Sequence, residues 1–312
     1  MSLVSKEFLV DEIKLNKIYS DFDSDYEVTK LNFEKIDQIY GELKFPQLKK
    51  ERPFLFACFV ASIDGTIAFK DNPKSGQIAR NNNLDNGAGK SDLWILNLLR
   101  TIADGIILGP KTLAAEPNLT GHIFDQELVK ARTELLSKSA VPYNIIVSQT
   151  GDSIPYQHRI FTEEEVPIII ATSPQGSQVV TENLDYPYQL INLQSESNII
   201  KQIRTNIKKD KVIVLATGDA YELNEKILFN SLKEAGLDRI MVETPSYAHY
   251  LMQNQFLDEL FWNQAGIYAG GPKFLNNDYN FAFSSAAPPQ AKMITIHSYN
   301  SYFFCFRYRL NY

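Results

Sequence analysis

The chain has few of the residues that most often carry chemistry alone: two cysteines and four histidines among 312 residues. Cys58 and Cys305 each sit inside an apolar, strand-like run, and neither has a cysteine or histidine at metal-ligand spacing. They read as buried free thiols in a reducing compartment. His122, His158, His249 and His297 are scattered, which gives little support to a zinc site or a histidine-based triad. No apolar run approaches the length needed to cross a bilayer, and the first residues lack a secretory leader's basic and apolar regions. A cytoplasmic protein with no membrane partner is the expectation. Lys plus Arg number 31 against 37 Asp plus Glu, a net charge of −6, which argues against a nucleic-acid partner. There is no GxGxxG after the first strand and no GxxxxGK[ST] loop, so the standard dinucleotide-binding fold and the P-loop NTPases are disfavoured. No metal is expected, and no internal repeat or low-complexity linker divides the chain.

What the chain does have is alternation. Residues 1–50 are mixed and charged, with an acidic turn at Asp21–Asp25 and weak helical periodicity around 31–43. They read as an extension packed on the domain, outside its core. From residue 51 onward strands and helices alternate in one domain running to 312. Strands are expected at 54–61, 105–109, 144–148, 167–172, 188–193, 212–218 (running into its glycine), 238–243 and 257–267. Helices are expected from Ser91 as N-cap to 103, and at 125–137, 197–208, 222–235 and 246–254. Two last strands, about 291–297 and 301–310, flank Asn300 as an antiparallel hairpin. Alternation implies crossover connections and a mostly parallel, mixed sheet with helices on both faces, a three-layer α/β/α fold.

The first strand of the domain, Arg52-Pro-Phe-Leu-Phe-Ala-Cys-Phe-Val-Ala-Ser-Ile-Asp-Gly, is the most informative segment. Phe54 to Ala61 run almost wholly apolar, as in a strand buried on both faces, and Ser62, Asp64 and Gly65 follow directly. A carboxylate there is costly unless it is paired, hydrogen-bonded or used, although an ordinary Asp-Gly turn has the same pattern. Strand ends of open α/β sheets converge on one rim, where ligands bind. Here they are Ser62–Gly65, Gly109–Thr112, Ala171–Ser173, Ala216–Gly218 and Glu243–Ser246. Their glycines, serines and threonines let backbone amides approach a phosphate, and also serve as helix caps.

In order and spacing, RPFLFACFVASIDGTIA, Ser75-Gly76, Leu99-Arg100, Ala103-Asp104, Gly109-x-x-Thr112, Ala115-Glu116, Val242-Glu243, Leu257–Leu260, Gly270-Gly271 and Phe306-Arg-Tyr308 form a specific pattern. It resembles the C-terminal reductase module of the bifunctional riboflavin-biosynthesis deaminase/reductase. More closely, it resembles the stand-alone pyrimidine reductases of that pathway. The resemblance covers about residues 52–309 and implies a dihydrofolate-reductase-like fold. It also implies NADPH as cofactor and reduction of 5-amino-6-(5-phosphoribosylamino)uracil to the ribityl form. Carried over by position, Gly109, Lys111, Thr112, Thr172, Ser173, Gly218, Thr244 and Ser246 fall on the cofactor side. Ser62, Ser75, Arg100 and Glu116 fall on the substrate side, and Asp64 or Glu243 is the expected proton holder. Lys111 is either a partner for the cofactor's 2′-phosphate or a solvated lysine. Arg100 either meets a ligand phosphate or pairs with Asp104.

The chain departs from the family after Glu243, where two glycines and a proline give way to Thr244, Pro245, Ser246 and Tyr247. A threonine fills space that glycine leaves open, and proline removes an amide donor. A reductase of another pyrimidine or pterin-like substrate, or a weakened nucleotide-binding paralogue, therefore stands beside the leading expectation. The aromatic stretch Tyr299–Tyr312 is an expected part of a homodimer interface.

Overall fold

The computed structural model describes residues 3–31, 33–85, 87–193, 212–271, 273–275 and 282–312. Its centre is β4 (Phe54–Ser62), with all nine residues buried. Such a strand must be covered on both faces, and it is. Eleven strands lie in the order β1-β12-β13-β11-β4-β10-β5-β6-β7-β9-β8. The parallel part comprises β4, β5 (Gly105–Leu108), β6 (Tyr143–Val147), β7 (Ile168–Thr172), β8 (Tyr188–Asn192), β9 (Val212–Ala216), β10 (Arg239–Val242) and β11 (Glu259–Ala265). The antiparallel part is the terminal hairpin, β12 (Gln290–Asn300) with β13 (Phe303–Asn311), and β13 also pairs with β11. The expected three-layer, mostly parallel mixed sheet with its terminal hairpin is what forms.

Alternate residues of β4 feed two cores. Phe54, Phe56, Cys58 and Val60 join α4 (Ala88–Ile102) and α6 (Gln126–Leu135) on one face. Leu55, Ala57 and Phe59 join α8 (Glu225–Glu234) and α9 (Pro245–Gln253) on the other. Three further helices, α3 (Gln77–Arg80), α5 (Pro110–Ala115) and α7 (Pro174–Asn183), form where no helix was expected, α3 within the expected loop at 71–90. The helix expected to start at Ser91 begins at Ala88 instead, because Asp85 Oδ1 accepts from the amides of Gly87 and Ala88 at 3.1 Å each. The helix expected at 197–208 lies outside the described residues.

Residues 1–50 do more than pack on the domain, which corrects the reading of them as outside its core. They form α1 (Val10–Ile13), β1 (Asn16–Ser20), β2 (Tyr26–Val28), α2 (Glu34–Ile39) and β3 (Lys44–Pro46). β1 pairs antiparallel with β12 and becomes the sheet's edge, while Ile13, Ile36, Ile39 and Phe45 are fully or almost fully buried in the first core. Charges fix the docking. Lys35 reaches Asp125 at 2.9 Å, the residue that caps α6 and also accepts from Trp94 Nε1. Tyr26 donates to Glu259 Oε1 at 2.5 Å, and Arg307 Nε donates to Glu259 Oε2 at 2.8 Å. The Arg307 guanidinium lies 4.5 Å from the Phe45 ring centre and 4.8 Å from that of Phe261. Desolvation raises the pKa of both Glu259 and Tyr26, and for Glu259 the Arg307 charge and the Tyr26 hydrogen bond oppose that rise.

Arg307→Met strands the Glu259 charge and is expected to cost about 3–5 kcal/mol. Glu259→Leu with Arg307→Met should recover most of that loss. Urea unfolding with an unchanged slope measures both.

Candidate active site

The strands do not end level. Val242, the last residue of β10, pairs with Ala57, whereas β11 continues beside β4 until Ala265 meets Ser62. Past the end of β10, β4 therefore has a neighbour on one side only. Cys58, Val60 and Ser62 of β4, with Phe261, Asn263 and Ala265 of β11, form a floor on the face toward α4. The chain ends that follow β4, β5 and β10 surround it.

Asp64 closes the end of this floor. Its Oδ1 accepts from Ser62 Oγ at 2.5 Å and from the Ala269 amide at 3.1 Å. Its Oδ2 accepts from Thr66 Oγ1 and the Gly270 amide, both at 2.9 Å. The Ser62 hydroxyl, aided by the two amides and Thr66, pulls its pKa down to about 2. The turn reading and the site reading of Asp-Gly thus merge: Gly65 takes φ 79°, and the carboxylate clasps the 269–270 loop to β4. A group so held stays charged near neutrality, which corrects the expectation that burial raises it into a proton-holding range.

Glu243 is also engaged. Arg100 on α4 donates from Nε to Oε1 at 2.7 Å and from Nη2 to Oε2 at 2.6 Å, a two-pronged ion pair. Its third prong, Nη1, donates to the His122 carbonyl at 2.7 Å. The fully buried Arg100 is thus neither an open phosphate ligand nor the partner of Asp104. Asp104 accepts from the amides of Asp238 and Arg239 and pairs with Lys138 at 2.8 Å. Both oxygens of Glu243 are thus occupied, and the pair joins α4 to the end of β10.

On the expected cofactor side, Gly109 caps α5 and lies against Thr244. A Cβ on Gly109 would fall 2.6 Å from Thr244 Cγ2. Thr244 is the N-cap residue of α9 but makes no side-chain cap, and its Oγ1 is buried without a partner. The first turn of α9 therefore keeps uncapped amides beside an unpaired hydroxyl, with Ser246 exposed. Such a helix end suits an anion. Thr172 and Ser173 are already used: Thr172 Oγ1 donates to the Gln149 carbonyl at 3.2 Å, and Ser173 Oγ accepts from the Gly176 amide at 3.0 Å. Gly218 takes φ 91° in a turn too tight for a side chain. Lys111 is exposed and Thr112 half-buried on α5. The Ser75 amide donates to Glu116 Oε1 at 3.0 Å, tying the 71–76 loop to the end of α5.

A recess of about 470 Å³ lies elsewhere, between Lys6–Phe8 and the α3–α4 region. It contains none of the strand-end residues and has mixed charges on its walls, so the rim, whose groups converge, is the better candidate. The described residues contain no group of three or more histidine, cysteine, aspartate or glutamate side chains placed to hold a metal. None of their helices is long and apolar enough to cross a membrane.

Two residues facing the floor escaped the sequence reading. Asp92 on α4 accepts at Oδ1 from Asn263 Nδ2 of β11 at 2.8 Å. An aspartate in a helix's first turns and an asparagine inside a strand carry no local signal. Only the pairing of α4 across β11 joins them.

The sheet and its uneven rim define a three-layer α/β protein with a mostly parallel, mixed sheet. Residues 53–293 match the RibD C-terminal domain, and the chain belongs to that family. Among solved structures it is similar to a pyrimidine reductase-like protein from Corynebacterium diphtheriae, at 17% identity and TM-score 0.60, over 91% of this chain and 100% of that one. It is also similar to a diaminohydroxyphosphoribosylaminopyrimidine deaminase/5-amino-6-(5-phosphoribosylamino)uracil reductase from Thermotoga maritima, at 17% identity and TM-score 0.54. That match covers 84% of this chain and only 58% of the longer Thermotoga chain. Acinetobacter baumannii RibD is similar at 15% identity and TM-score 0.53, over 84% of this chain and 59% of that one. No curated protein sequence matches the chain.

Asp64 supplies a pH test. Its folded pKa of about 2 lies below the unfolded value of about 3.9, so its contribution to stability is complete above the unfolded value. That contribution is lost as pH falls toward about 2. Wild type should therefore lose stability relative to Asp64→Asn between those pH values, as read by thermal unfolding. Parallel curves would contradict the clasp.

Proposed function

We propose that this protein is an NADPH-dependent reductase that converts 5-amino-6-(5-phosphoribosylamino)uracil to its ribityl form. The observation that carries the reading is the rim itself, in which the end of β4, unpaired on one side past β10, adjoins an anion-suited helix end at Thr244 and Gly109. Family membership and the activity printed for the Thermotoga relative support it. When bound, the cofactor supplies a hydride, which is chemistry of its own.

The chain's residues do the rest. The uncapped amides of α9 and the Thr244 hydroxyl would take the pyrophosphate, with Gly109 giving backbone access and Lys111 and Ser246 at the exposed margin. Thr172, Ser173 and Gly218 shape the neighbouring turns rather than reach the ligand. Cys58, Val60 and Ser62 would support the pyrimidine and ribose. Asp64 and the Arg100–Glu243 pair keep the borders of the site rigid, which would serve to align substrate and cofactor when both are bound. Ser75 and Glu116 hold the loop over this side.

A second reading is favoured by one observation. The Thr244 methyl packs where a glycine would leave room beside Gly109, which suits a paralogue with weakened nucleotide affinity or a reductase of another pyrimidine or pterin-like substrate. Titration with NADPH and NADH by calorimetry decides. NADPH should bind, and Thr244→Gly should tighten it. Absence of binding by either nucleotide would sink both reductase readings, whereas binding without oxidation by the phosphoribosylaminopyrimidine would favour the second.

We also propose a homodimer. Leu260 and Trp262 of β11, with Phe304, Phe306 and Tyr308 of β13, form a half-buried stripe on the face away from α4. The Phe304–Phe306 and Phe306–Tyr308 ring centres lie 6.3 and 6.2 Å apart. Sedimentation should show a dimer that Phe306→Glu converts to monomer; an unshifted wild-type monomer would reject it.

A further inference from the structure

Three carboxylates surround the floor, and they are in three different states. Asp64 is saturated with donors, and Glu243 is clamped by Arg100. Asp92 alone has an oxygen to spare: Asn263 holds its Oδ1, and among the described residues nothing hydrogen-bonds Oδ2. As a residue Asp92 is half-buried near the start of α4.

Its position follows from strand register. Asn263 pairs with Val60, two residues before Ser62, which places the Asp92 carboxyl above the floor about 7 Å along the strand from the Asp64 clasp. The groups that face it come from four elements. They are Arg80 of α3, Asn263 of β11, and the buried thiols Cys58 of β4 and Cys305 of β13. Glu243 acts electrostatically on the same Cys58, so the ion pair borders this space. The Asn263 Oδ1 is buried without a partner, and that strand position is 1% exposed. An unpaired acceptor at such a depth costs stability, which a purely structural asparagine–aspartate contact would not require.

We propose that Asp92 Oδ2 is the proton donor of the reduction, and that Asn263 is the positioning residue that fixes its carboxyl. The proposal rests on the reductase reading above. The ring-opened form of an N-glycosylamine is an imine. As hydride adds to the imine carbon, a C–H bond forms and the C=N π pair moves to nitrogen. That nitrogen takes the proton from Oδ2, leaving an amine and the Asp92 carboxylate, which is reprotonated from solvent. Burial pushes Asp92 up to about 6, against the opposing pull of Asn263 and Arg80, so a useful fraction is protonated near neutrality.

The test uses the full chain with NADPH and 5-amino-6-(5-phosphoribosylamino)uracil from about pH 5 to 9, together with carboxyl ¹³C NMR of the enzyme without substrate. Wild-type kcat should fall as pH rises through the Asp92 titration, and Asp92→Asn should remove the signal that titrates near 6. It should also lower kcat by about 10²–10⁴-fold, with KM and NADPH affinity little changed. Asn263→Leu, which removes a donor to the charged form, should move both the kinetic limb and the NMR titration to higher pH.

Asp92→Asn with kcat within about threefold of wild type would overturn the proposal while leaving the reductase reading intact. So would a limb that Asn263→Leu leaves in place, or loss of NADPH binding in Asp92→Asn, which marks a structural residue. A wild-type enzyme that cannot reduce this substrate at all would overturn the reading first and the proposal with it.

Discussion

The buried pair between Arg100 and Glu243 is the constraint on which the rim depends. It joins the helix that roofs the floor to the strand whose early end opens it. α4 carries Arg100, Trp94 and Asp92, so one two-pronged contact fixes the position of the others over β4 and β11. The third prong, on the His122 carbonyl, ties in the segment leading to α6. A buried ion pair adds little net stability over an apolar packing of the same shape, but it tolerates only one geometry. That property suits a site whose function is alignment.

Much of the fold was legible because its strands are unusual in composition. Runs such as Phe54–Ala61 and Val212–Ala216 are apolar on both faces, and such runs alternating with amphipathic helices allow few arrangements. The first fifty residues were illegible for the opposite reason. Their apolar residues, among them Ile13, Ile36, Ile39 and Phe45, are set singly among charges and become a core only when Lys35, Tyr26 and their partners dock them. Local pattern cannot show partners so distant, Tyr26 and Glu259 being 233 residues apart.

The candidate site divides along the same line. Strand-end residues were legible as places: Ser62, Asp64, Gly109, Glu243 and Thr244 do lie at the rim. Their states were not legible, because a carboxylate's state depends on which donors converge on it. Asp64 meets amides from residues 269 and 270, and Glu243 meets a guanidinium from α4. The sequence reading saw two candidate acids, and the contacts occupy both oxygens of each. Asp92 and Asn263 were invisible as a pair for the same reason that Tyr26 and Glu259 were.

The two sides of the rim are built on different principles, and this bears on how such a protein can diverge. At the end of β4 and behind β10 the carboxylates of Asp64 and Glu243 are saturated by their partners, so a single substitution there breaks a network and is costly. On the cofactor side Thr244 stands beside Gly109 with an unpaired hydroxyl and an uncapped helix behind it. Side chains there can change with little effect on the fold, because few contacts bind them. Substitutions at Thr244 and Ser246 therefore disturb few contacts of the fold, whereas Glu243 just before them is held by Arg100. The half of the site that departs most from its family is the half whose residues are least tied to the rest of the molecule.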